Sequence, residues 1–262
     1  MKLAVTGMGI WTQGIYSSDA FLKVLQTRDA ELGEWRSPSP ESIPARERRR
    51  APLTVRLAVE VAHQACSNAG CDPETIATVF SSVMGDSEIT DYMCRTLAGE
   101  NKILSPTRFH NSVHNAPAGY WSISTQNRAP SSSVAANQQS FAVALLEAAT
   151  LAASEQRPVL LINSDIADKP PIADAMPIAQ TFAAALVLEP NPGDSAAPQI
   201  EIHYERGKLE ATAAPTHPAL RALANANPMA LCLPLLEQCY GGGTASLSWP
   251  INNNSMLQVD TL

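Results

Sequence analysis

An α/β fold, with a mixed and mostly parallel sheet covered by helices, is predicted by three features of this 262-residue sequence. Short apolar or β-branched runs at 2–6, 78–84, 158–163 and 181–188 alternate with segments of helical character. The segment 53–68 carries Leu53, Leu57, Val61 and Ala65 at four-residue spacing, which lines one face of a helix. The runs at 158–163 and 181–188 are continuously apolar rather than alternating, the pattern of strands buried on both faces between helices.

Each element follows in order. Residues 2–6 read as a buried strand ended by Gly7-Met8-Gly9, and 17–26 as a first helix with a polar start. The stretch 36–50, rich in Pro, Ser and Arg, reads as an ordered loop. Helix 53–68 closes on Gly70, a residue suited to the left-handed C-cap. Residues 78–84 form a buried strand, and Ser87 caps a helix running to Leu97. A further helix is expected at 116–125, with Pro117 tolerated in its first turn. A short strand at 132–136 leads into a strongly apolar helix at 140–154.

After Pro190 the character changes. Residues 189–194 read as a turn or exposed loop, and 199–204 alternate like an edge strand. Helices are expected at 218–226 and 228–239, both with proline at the start, and Gly241-Gly242-Gly243 turns into a strand at 245–249. The polar tail 252–262 is expected to be partly disordered. No internal repeat is visible. The expected division is a main domain at 1–190 and a short C-terminal extension, 191–262, packed on it.

Composition narrows the function. With 45% hydrophobic residues the chain can bury a substantial core, and a net charge of −7 argues against a nucleic-acid binder. No window has the unbroken apolar run of a membrane span, and the first residues lead straight into a strand without a signal-peptide pattern, so a cytoplasmic location is expected. The five cysteines are odd in number and lack a CxxC pair, which reads as incidental thiols in a reducing compartment. The one basic cluster holds Arg46, Arg48, Arg49 and Arg50. It reads either as a solvated loop or helix start, or as a surface that docks an acidic carrier protein or another acidic partner surface.

Few residues offer chemistry by spacing alone. His110 and His114 are four apart, but their surroundings read as loop and no third ligand is near, so neither metal nor cofactor is expected. Asp165 and Asp168 read as strand-end turn residues before a carboxylate pair. Ser131-Ser132-Ser133 has no Gly-x-Ser-x-Gly elbow around it.

Several segments, taken in order, resemble the N-terminal half of the β-ketoacyl synthases, Claisen-condensing enzymes of the thiolase superfamily. Val5-Thr6-Gly7-Met8-Gly9-Ile10 is similar to their opening strand and glycine turn, and 79–85 to the strand before their dimer-forming insertion. The segment 105–119 (SPTRFHNSVHNAPAG) resembles their Ser-Pro-aromatic and Asn-x-x-Ala-Gly stretch. Ala129-Pro130-Ser131 then matches Gly-Pro-Ser ahead of Ala-Cys-Ala-Ser-Gly, and 159–164 and 182–189 resemble the two strands that follow. Laid without gaps, the family's nucleophilic cysteine falls on Gln138. A carboxamide has no ionisable proton and forms no thioester. A polar cap on the helix at 140 is the alternative reading of Gln138-Gln139.

The family also keeps two catalytic histidines and a lysine in a second half that this length does not accommodate. His63, His110, His114, His203 and His217 all lack the family's motif contexts. The resemblance therefore implies a truncated thiolase-like fold and a chain length factor, the cysteine-less paralogue that pairs with an active, full-length β-ketoacyl synthase as heterodimer or heterotetramer. Such a subunit shapes the acyl tunnel in type II polyketide, aryl-polyene or fatty-acid-like synthesis, and meets acyl carrier protein only indirectly. Phe109, Asn115, Gly119, Pro130, Ser133, Gln138 and Phe141 are then expected at the tunnel or partner interface, with no catalytic residue. The alternatives are a glutamine-type decarboxylase that primes synthesis from malonyl thioesters, and an unrelated α/β scaffolding protein.

Overall fold

The computed structural model describes residues 1–27, 32–175, 177–193, 196–207 and 210–262. In chain order it contains β1 (Lys2–Thr12), α1 (Ser18–Gln26), α2 (Ala45–Arg48), α3 (Leu53–Ala69), β2 (Ala77–Ser81), α4 (Ser87–Ala98), α5 (Pro106–His110) and α6 (Ala116–Thr125). There follow β3 (Ser131–Val134), α7 (Ser140–Glu155), β4 (Val159–Asp165), α8 (Ile172–Ala175), β5 (Phe182–Pro190) and β6 (Gln199–Arg206). The chain closes with α9 (Pro218–Ala226), α10 (Leu233–Gly241), β7 (Ser246–Asn252) and β8 (Ser255–Thr261).

One mixed sheet runs β3-β2-β4-β5-β1-β6-β8-β7. It is mixed as expected but not mostly parallel. Only β2 pairs in parallel, with β3 and β4; the other pairings are antiparallel. Continuous apolar runs report burial on both faces, not strand direction, and β5 returns beside β4 to run against it.

Helices cover both faces. On one, α3 packs across β1, β5 and β4, with α6 beside it. The glycines of β1 permit this approach: a Cβ on Gly7 would stand 2.2 Å from the Ala65 carbonyl oxygen, and one on Gly9 2.0 Å from that of Val61. On the other face, α7 lies against β2, β4 and β5, and α1, α10 and the 3₁₀ turn Pro228–Cys232 join the same apolar core.

Beyond Pro190 the structure departs from several expectations. Strand β5 continues to Pro190, and residue 194 of the expected loop lies outside the described residues. The tail is not disordered: β8 pairs with β6 and β7, and its apolar Met256, Leu257 and Val259 are buried. A strand needs only such a short apolar set, and the polar residues between hid it. Strands β6, β8 and β7 thus prolong the main sheet, and Trp249 of β7 meets Phe141 of α7 edge-on at 5.4 Å.

Candidate functional site

The strand–turn–helix around Gln138 is the best-defined local feature at the carboxyl ends of the parallel strands. β3 ends at Val134, a 3₁₀ turn spans Asn137–Gln139, and α7 begins at Ser140. Asn137 takes a left-handed backbone (φ 53°), uncommon for a residue with a side chain. The buried Ser140 hydroxyl ties the turn: it accepts from the Ala136 N–H at 2.8 Å and donates to the Asn137 carbonyl at 2.7 Å. Gln138 stands exposed at the apex, and its carboxamide has no hydrogen-bond partner among the described residues. Neither glutamine caps α7, whose first turn carries no side-chain cap bond. The capping reading is therefore overturned, because Ser140 already supplies the local hydrogen bonds.

Beneath the turn lies a buried polar tie absent from the sequence reading as a site. Asp165, at the end of β4, accepts from the Ser82 hydroxyl at 2.6 Å and from the Val83 N–H at 2.9 Å. Burial, reinforced by the Asp168 charge and opposed by these two hydrogen bonds, pushes the Asp165 carboxyl up to about 7. Asn227 donates to the Asp165 carbonyl at 3.2 Å and caps the Pro228–Cys232 turn by accepting from Met229 N–H. Asp86, not Ser87, caps α4, accepting from Ile89 N–H at 2.8 Å and from the Thr54 hydroxyl at 2.8 Å. Its Oδ atoms reach back to the free N–H groups of the first turn, which serine at 87 is one position too late to do.

The segment 105–119 is more helical than its loop-like sequence. Ser105 accepts from Arg108 N–H to start α5, and α6 begins after Asn115 with Pro117 in its first turn. His114 donates from Nε2 to the Ser82 carbonyl at 3.0 Å, whereas His110 is exposed on α5. No group of three or more His, Cys, Asp or Glu among the described residues could hold a metal.

The expected interface residues fall into two sets. Phe109, Asn115, Gly119, Pro130 and Gln138 are exposed, and Ser133 is half-buried beside them. His114, Asn115, Gly119, Ser131 and Ser133 line a groove of about 520 Å³ along β3, the terminal strand of the sheet. Phe141 is the exception. It is fully buried against Trp249 and reaches neither surface nor groove, because the turn points the first apolar residue of α7 into the core.

A second groove, about 840 Å³, adjoins the first at Asn115 and Gly119, lies between α6 and α2, and is lined by Ile43, Pro44, Arg50, Val113, Tyr120 and Ile123. Arg46, Arg49 and Arg50 are exposed; Arg48 is half-buried and donates to the Ser39 carbonyl at 3.1 Å. The cluster is a one-turn helix and its end, not loop throughout. Large apolar side chains stand out around these grooves, with Ile123 81% and Phe109 61% exposed.

A model of the family described as "Beta-ketoacyl synthase, N-terminal domain" matches residues 26–237. No curated protein matches the sequence. Among solved structures, a chain of the ketosynthase ApeO in complex with its chain length factor ApeC from Xenorhabdus doucetiae superposes with TM-score 0.72 at 22% identity, over 99% of each chain. A chain of the AntDE:AntF complex, a type II polyketide acyl-carrier protein with its ketosynthase, gives TM-score 0.73 at 13% identity, over 99% of this chain and 98% of that one. The ishigamide ketosynthase/chain length factor gives 0.68 at 14%, over 100% and 99%. At such identities the likeness is one of fold, and the fold is thiolase-like. No described helix is long and apolar enough to cross a membrane. With the family model covering most of its length, this chain belongs to the β-ketoacyl synthase N-terminal domain family.

Proposed function

We propose that this chain is a non-catalytic chain length factor, which pairs with an active β-ketoacyl synthase and helps shape its acyl tunnel. One observation carries the reading: an unreactive glutamine stands at the apex of the turn where the family presents its cysteine. No histidine hydrogen-bonds to that turn among the described residues, which speaks against a decarboxylase needing donors preorganised around a thioester oxygen. The structural relatives in ketosynthase–chain length factor complexes agree with this assignment.

The partner surface in this reading is the free edge of β3 with the groove beside it and the exposed Phe109, Val113 and Ile123. An unpaired strand edge and a run of exposed apolar side chains are both covered by association. Arg46, Arg48, Arg49 and Arg50 offer a secondary contact to an acidic carrier protein, which docks mainly on the ketosynthase. The product class is a polyketide, aryl polyene or related acyl chain, made in the cytoplasm.

The test is co-expression with a full-length ketosynthase encoded beside it. The two should co-elute as a stoichiometric complex, and the ketosynthase should lose solubility or activity without this chain. A stable monomer indifferent to that ketosynthase would support an unrelated scaffolding role instead.

A further inference from the structure

The C-terminus of α3 brings two thiols together. Cys71 N–H donates to the Cys66 carbonyl at 3.1 Å and Gly70 N–H to that of Ser67 at 3.3 Å, with Gly70 left-handed at φ 64°. These paired bonds define a Schellman motif, in which the side chains three positions before the cap and just after it normally make an apolar contact. Here both positions are cysteine. The neighbouring Cys66 thiol is the main cause holding the Cys71 thiol below its ordinary range. Cys66 is 1% exposed, whereas Cys71 is half-buried and lines a cleft of about 480 Å³ with Asp72, Thr75, Ile76, Glu155 and Arg157. The other thiols differ: Cys232 and Cys239 are buried in the core and Cys94 is exposed.

We propose that Cys66 and Cys71 form a dithiol site, which small disulfide oxidants reach through the cleft at Cys71 and convert to an intramolecular disulfide. The motif sets these two side chains against each other, the close approach that a disulfide demands. The Cys71 thiolate attacks one sulfur of the oxidant, whose S–S bond breaks and whose other half leaves as a thiol after taking up a proton. Cys66 then loses its proton and attacks Cys71 sulfur, releasing the second half as thiol. Two protein thiols are oxidised to one disulfide, and one small disulfide is reduced to two thiols. The site sits ahead of β2, at the opposite end of the parallel strands from Gln138.

The native chain treated with oxidised glutathione and cleaved after glutamate tests this. Cleavage after Glu60 and Glu74 yields a peptide, 61–74, that contains Cys66 and Cys71 and no other cysteine. The peptide should be lighter by the mass of two hydrogen atoms and carry no glutathione, while exposed Cys94 carries an adduct. In Cys66→Ala, Cys71 should hold a stable glutathione adduct. Wild-type peptide that keeps such an adduct, or that stays reduced while Cys94 reacts, overturns the proposal.

Discussion

The Ser82 hydroxyl donates to the Asp165 carboxyl at 2.6 Å, tying the segment after β2 to the end of β4 beneath the candidate site. Burial raises the Asp165 carboxyl from 3.8 to about 7, so the folded chain favours its protonated form. That contribution to stability is complete below about pH 4 and is lost as pH rises through about 7. Asp86, Asp168 and Glu60 are also raised by burial and act in the same direction. The urea midpoint should therefore fall across this window, and more shallowly in Asp165→Asn, whose carbonyl oxygen can still accept from Val83 N–H. An equal pH slope in both proteins would refute the assignment.

Gly119 lies in α6, exposed, with nothing within 4 Å of where its Cβ would stand. Within this chain the glycine serves no packing need and costs helix stability. Gly119→Ala should stabilise the isolated chain by about 0.5–1 kcal/mol. If a partner approaches α6 closely there, the same change should weaken the complex. Thermal unfolding of the single chain and titration of the pair read the two effects separately; unchanged affinity would remove Gly119 from the interface.

Trp249 is 3% exposed, packs on Phe141, and donates from its indole to the Leu231 carbonyl at 3.0 Å. Trp249→Ala should cost about 3–5 kcal/mol. Loss should appear in a single cooperative unfolding transition monitored through both halves of the chain. A separate early transition confined to residues after Pro190 would mean that the extension folds on its own.

Gln138→Cys should not create condensing activity in the isolated chain, since no histidine reaches the turn among the described residues. The new thiol should alkylate readily from its exposed position. Turnover of malonyl thioesters by this variant alone would show that the missing cysteine is the only lesion.

Much of this architecture was legible in the sequence because it follows apolar periodicity. The face Leu57-Val61-Ala65 made α3 visible, the run Val159-Leu160-Leu161-Ile162 made β4 visible, and Gly70 marked the cap where it stands. What escaped depends on partners far away in the chain. β5 runs against both β4 and β1, β8 is a strand because β6 and β7 flank it, and Phe141 packs on Trp249, which arrives from β7. At the candidate site, Gln138 could be placed by resemblance and Asp165 could not, because its role comes from Ser82 and Val83 across the sheet.

The most direct measurement follows an isotope-labelled acyl or malonyl thioester on the purified ketosynthase complex, locating the covalent label by subunit and assaying carbon dioxide release by this chain alone. A non-catalytic partner predicts label on the ketosynthase only, and no release from the isolated chain. Label on this chain, or carbon dioxide released without the ketosynthase, would contradict it.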